Sequence, residues 1–215
     1  MKILTVFLFT SALIFSQGEH IYDNSFGFGA NYLYSGVDNV TGSGVALGLS
    51  VLGKFDVSFS HVTSQYETGY SGENFKSSSN TVMAGYNAKF KEKGNLKIMF
   101  GYMTISTSVP YSPDISADGI AFGIMFNYKV LDINKFVLMP GLGIVYGFLS
   151  SSYDNSSTSS TFDLRTLGAE INFVFTPVRE FKLVFAPSVS VDLNGKENTA
   201  TTGFEAGVLI NLTSK

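Results

Sequence analysis

The chain has 215 residues, a formal net charge of −3, no cysteine and no tryptophan, and only 14% of its residues are charged. Ordinary soluble domains carry roughly 25% charged residues, so this one is short of the groups that keep a surface in water. The mild acidity, with no basic cluster, argues against a nucleic-acid partner, and the lack of cysteine excludes a disulfide scaffold or a thioether-anchored lipoprotein.

Residues 1–18 read as a secretory signal. Lys2 supplies the positive start, and Ile3 to Phe15 form an apolar run shorter than the roughly 20 residues a spanning helix needs. Ser16-Gln17-Gly18 is a small-x-small cleavage site, with the cut expected after Gly18 and Ser16 as the alternative. An uncleaved anchor helix would call for a stop-transfer cluster of charge, and none follows. Residues 19–215 are then expected to form one domain. No later apolar run is long enough for a transmembrane helix, while aromatics make up 14% of the chain and glycines number 22.

Ten segments of alternating character follow, at about 24–36, 43–51, 55–66, 79–90, 95–108, 118–130, 136–150, 161–175, 181–192 and 201–212. Alternation with period two is the mark of a strand with two different faces. The hairpin from Asp118 to Leu149 shows it best. Ile120, Phe122, Ile124, Phe126, Tyr128 and Val130 share one parity, against Ala121, Gly123, Met125, Asn127 and Lys129 on the other. Most segments are long for globular strands, which average about 5–6 residues, but right for a tilted crossing of a bilayer. Short connections (Leu52–Lys54, Lys91–Gly94, Leu131–Lys135, Thr176–Glu180) alternate with longer polar ones (Glu67–Ser78, Pro110–Ala117, Ser151–Ser160). One compact rim and one decorated rim is the layout of a membrane barrel.

The bulky parity is expected to face lipid. Phe26, Phe55, Phe90, Tyr128, Phe136, Phe175 and Phe181 fall at the short-turn ends of the strands, and Tyr32, Tyr34, Tyr102, Tyr146, Phe148 and Phe204 toward the loop ends. These are two aromatic girdles, one for each interface. Val57, Val82, Ala84, Ile98, Ile124, Leu142, Ile171 and Val208 lie between them, with no charge at mid-depth. The other parity carries Asn31, Asp56, Asn87, Lys89, Lys97, Asn127, Lys129, Glu170, Asn172, Lys182, Asp192, Glu205 and Asn211, interspersed with glycines. Four lysines against four carboxylates could pair across the lumen, while the glycines would leave room for long side chains or a file of water.

On this pattern the chain resembles the small bacterial outer-membrane β-barrels, the OmpA/OmpX-like and related families. The resemblance covers the signal and the whole remaining chain. It implies an all-β, antiparallel up-and-down transmembrane β-barrel of about ten strands, with eight as the alternative, in the outer membrane of a Gram-negative cell. Implied partners are outer-membrane lipid and the barrel assembly machinery. One departure is that the last strand ends on Leu212 and a polar tail rather than on a terminal aromatic.

Candidate chemistry is sparse. Gly141-x-Gly143 with Gly147, and Gly27-x-Gly29, echo phosphate loops, but those need a strand before and a helix after. Asn39, Asn155 and Asn211 begin N-x-S/T triplets expected by chance in so Ser/Thr-rich a chain. Of the two histidines, His20 falls at the start of the exported chain. His61 has Asp56, Ser58, Ser60 and Ser64 nearby, yet its parity points it away from the serines, out of reach of a nucleophile. Asp114, Asp118 and Asp154 read as solvated loop charge. Tyr66, Tyr70, Tyr111 and Tyr153, among Ser, Gly and Asn, could form an adaptable surface for an extracellular ligand. We therefore expect no catalytic, cofactor or metal residues, and a structural or narrow-conduit barrel that is not an enzyme. The alternatives are a soluble periplasmic lipocalin-like barrel, with the parity inverted, and a barrel enzyme or adhesin.

Overall fold

The computed structural model describes residues 26–37, 40–67, 74–91, 93–108, 114–153, 159–194 and 200–212. The expected signal and His20 lie outside them. Ten long strands form the wall: β1 (Phe26–Val37), β2 (Val40–Val51), β3 (Phe55–Glu67), β4 (Asn74–Phe90), β5 (Gly94–Ser108), β6 (Ile115–Tyr128), β8 (Phe136–Tyr153), β9 (Ser159–Val178), β10 (Phe181–Asp192) and β11 (Ala200–Leu212). The short β7 (Leu131–Ile133) lies in the turn before β8 and pairs with its start. Every neighbouring pair is antiparallel, and β1 pairs with β11 along eleven positions, so the sheet closes on itself. Phe26 pairs with Leu212, so the first and last strands begin and end at the same rim.

Paired positions run from Phe26 through Val51, Phe55, Tyr86, Ile98, Ile124, Ile144, Leu167 and Val191 to Ala200. The last strand pairs Thr202 with Gly36, so the circuit closes twelve residues further along β1 than it began. Ten strands with a stagger of twelve residues tilt by about 40° and give a backbone radius of about 10 Å. Such an interior holds side chains but no wide channel.

The strands extend further toward the loop rim than the alternation predicts. β4 begins at Asn74 rather than residue 79, β8 runs to Tyr153 rather than 150, and β9 begins at Ser159 rather than 161, while its other end runs on to Val178 at the compact rim. Serine takes the place of large residues there, so the outward face turns polar and the alternation fades. The ladder continues nonetheless: Ser151 Oγ lies 2.9 Å from Ser160 Oγ, in what reads as a loop from sequence. β2, short in the sequence reading, runs a full 12 residues from Val40.

The short turns keep the opposite rim compact. Leu52 and Gly53 both have positive φ (56° and 62°), and the Lys54 amide donates to the Val51 carbonyl at 3.1 Å. Two left-handed central residues define the type I′ hairpin, which prefers Asn-Gly. Leucine pays a steric penalty in that region. Leu52→Asn is therefore expected to stabilise the barrel by about 0.5–1 kcal/mol, read as a raised urea midpoint in lipid vesicles. No change or a lowered midpoint would refute the assigned turn.

Candidate functional site: the barrel interior

The faces fall as the parity requires. Among the described residues, 38 large apolar side chains are exposed while 23 polar or charged residues are buried, the inverse of a water-soluble protein. The soluble lipocalin-like arrangement, with bulky residues lining a cavity, is thus overturned. Both girdles are present on the outside: Phe26, Phe55, Phe90, Tyr128, Phe136 and Phe175 are exposed at the turn rim, and Tyr32, Tyr34, Tyr102 and Phe148 toward the loop rim. Phe136 and Phe148 are twelve residues apart on β8, about 30 Å along the axis at this tilt, which matches a bilayer's hydrocarbon core. Outward charge appears at the loop-side girdle, where Arg165 stands opposite Tyr146 and Asp163 opposite Phe148. Arg165 bridges Asp163 at 2.7 Å, and Tyr102 donates a hydrogen bond to Asp118.

Inside, a polar belt crosses the lumen. Lys97 on β5 pairs with Asp56 on β3 at 3.0 Å, both almost wholly buried. Asn87 Nδ2 donates to the same carboxylate at 2.6 Å, and Asn95 Nδ2 donates to Asn87 at 3.2 Å. On the far wall Asn172 Nδ2 donates to Glu170 at 2.6 Å and to the Met139 carbonyl at 3.3 Å. Glu205 on β11 is buried within electrostatic reach of both Glu170 and Lys97. Charged groups so removed from water need partners, and β3, β4 and β5 supply them to one another through Asp56, Asn87 and Lys97.

This belt corrects the expected balance of four lysines against four carboxylates. Lys89 is exposed, and Lys129 is bound to Asp132 at 2.6 Å, because both sit within a turn of the compact rim and reach out of it. Lys97 and Lys182 are the buried lysines among the described residues, against Asp56, Glu170, Asp192 and Glu205.

Apolar side chains form two further buried clusters on the inner face. One buried cluster joins Met83, Met99, Met103, Met125, Val145 and Leu164 with their neighbours toward the loop rim, and another joins Leu33, Val62, Met139, Val174, Val184 and Leu209. The sequence reading missed these, since isolated Met and Val between glycines do not look like a core. The inward glycines serve this packing. Asn127 and Glu170 occupy the space a Cβ would need at Gly141, Lys97 covers Gly85, and Met83 covers Gly101. The room expected for a file of water at those positions is taken by side chains.

The remaining candidates are placed as follows. His61 lies on the outer face of β3, where its Nδ1 donates to Asn80 Oδ1 at 2.8 Å, while Ser58, Ser60 and Ser64 are buried on the inner face. The four glycines Gly27, Gly29, Gly141 and Gly143, and Gly147, all lie within strands with no helix after them. Asn211 is buried inside the barrel. Tyr66 lies near the loop end of β3, as the segment 55–66 predicts, and packs with Val37, Val40 and Phe75. Asp114 is exposed and Asp118 belongs to β6. Tyr70, Tyr111, Asp154, Asn39 and Asn155 lie outside the described residues, as does the side chain of Tyr153.

A closed antiparallel barrel, apolar outside and polar within, defines the class: this is the outer-membrane β-barrel fold. The translocator domain of the autotransporter NalP from Neisseria meningitidis aligns over 93% of both chains, with a TM-score of 0.61 and 14% identity. The beta domain of the Bordetella autotransporter BrkA covers 87% of this chain and 100% of its own, with a TM-score of 0.50 and 10% identity. The transport unit of the autotransporter AIDA-I from Escherichia coli covers 95% and 98%, with a TM-score of 0.50 and 8% identity. At such identities the likeness is one of fold. No protein-family model and no curated protein matches the chain in sequence.

Proposed function

We propose that the protein is an integral outer-membrane barrel with a structural role, or a conduit no wider than a single file of ions, and without a catalytic centre. The carrying observation is the occupied inner face, where Lys97, Asp56 and Asn87 bond across strands and two apolar clusters are buried beside them. The translocator and transport roles named for structural neighbours call for a wider lumen than a ten-stranded barrel lined in this way favours. Lipid and the assembly machinery are its proposed partners, and the loop rim is its proposed contact with the outside.

Planar-bilayer recording tests the reading. The expected result is small or intermittent ion conductance and no passage of neutral sugars. Large, steady conductance with sugar permeation would overturn the closed interior and make the protein a general diffusion porin.

A further inference from the structure

Beyond Met1 the sequence holds five methionines, Met83, Met99, Met103, Met125 and Met139, and all five are buried inside the barrel. None of the 38 exposed large apolar residues is methionine, although a lipid face would accept it. Four of the five belong to one cluster. The register makes them a ladder. Met83 stands opposite Gly101 on β5, and Met99 and Met103 lie two residues to either side of that glycine. Met99 stands opposite Gly123 on β6, and Met125 lies two residues beyond it. Diagonal neighbours of this kind are within reach of long side chains. The methionines therefore form one contiguous patch on the inner wall of β4, β5 and β6.

We propose that this patch is a binding site for a soft monovalent cation, Cu(I) or Ag(I), held by the thioethers of Met83, Met99 and Met125. Thioether sulfur is a soft ligand that selects Cu(I) over hard cations and needs no deprotonation. The glycines beneath provide the freedom to coordinate. Met83 Sδ lies over Gly101, Met99 Cε packs toward Gly123, and Met125 Cγ packs over Gly143. With no Cβ in the way, each flexible side chain can swing its sulfur toward a common centre. Plain gap-filling by methionine is the competing account. It predicts that leucine, of nearly equal volume, serves as well in every respect.

The test titrates the refolded chain, freed of residues 1–18 and labelled with ¹³C at the methionine ε-methyls, with silver nitrate in chloride-free detergent buffer. Native mass spectrometry counts bound silver, and NMR reads the methyls. The expected result is one Ag(I) per barrel, with shifts concentrated on Met83, Met99 and Met125 and little change at Met139. Binding should be lost in the Met83→Leu/Met99→Leu variant and kept in His61→Gln, and magnesium should produce no shift. No bound silver, silver retained by the double leucine variant, or silver lost in His61→Gln would each overturn the proposal. If the double variant does not refold, the methyl shifts of the unsubstituted barrel decide: a response at Met139 alone, or at none of the five, rejects the site.

Discussion

Ile124→Arg and Leu142→Arg are each expected to abolish assembly into bilayers, while Met125→Gln assembles with nearly unchanged yield. Ile124 is 40% exposed and Leu142 56%, on the outer faces of β6 and β8 between the two girdles. Their partners across the sheet, Ile98 and Ile144 for the first and Phe126 and Ala169 for the second, offer no acceptor for a guanidinium. A cation at that depth costs about 2–4 kcal/mol, a large share of the roughly 5–15 kcal/mol that holds a folded domain. Met125, one residue from Ile124, is 1% exposed and faces the opposite way. It stands opposite Lys97, with Asn127 two residues along, so a glutamine amide there finds polar company. The measurement is the fraction folded in phosphatidylcholine vesicles, scored by protection from protease. Equal yields for all three variants would show that the two faces have been assigned wrongly.

The same arithmetic of faces explains what could be read from the sequence. Parity is a local property, and a one-residue slip would send every side chain to the wrong face. The alternation of Ile120, Phe122, Ile124 and Phe126 with Ala121, Gly123, Met125 and Asn127 therefore fixes both strand and orientation. The strand count and the compact rim follow from turns such as Leu52–Lys54, whose ends are plain. The loop-rim bounds were not legible, because serine on both faces of β8 and β9 carries no contrast. The interior was legible as a list but not as a network. Nothing in spacing tells that Lys97 meets Asp56, forty-one residues earlier, while Lys89 and Lys129 turn out of the rim. Those pairings depend on the stagger of the closed barrel, which sets which positions of distant strands share a level. The thioether patch was hidden for the same reason: Met83, Met99 and Met125 lie on three strands and meet only once the sheet is in register.

Lys97→Met is expected to destabilise the barrel by about 3–5 kcal/mol, the cost of leaving a buried charge without its partner. Methionine is chosen because the lysine stem packs over Gly85, and a side chain of similar length keeps that space filled. What is lost is the ammonium. Asp56 then keeps Asn87 as a donor at 2.6 Å but loses its counter-charge at 3.0 Å. Glu205 loses the one positive charge that offsets Glu170 beside it. Adding Asp56→Asn removes one of the stranded charges and should recover a substantial part of the loss, since replacing both partners of a buried pair costs less than removing one. Urea unfolding in vesicles of the two single variants and the double one forms a cycle that isolates the coupling. A Lys97→Met barrel within about 0.5 kcal/mol of the parent, a difference too small for any broken buried pair, would sink the belt as an energetic feature. Conductance supplies a second reading of the same variant. With its central cation removed, the lumen faces ions with Asp56, Glu170 and Glu205, so any current gained should be carried by cations. A gain in anion current would mean that Lys97 does not stand on the ion path at all.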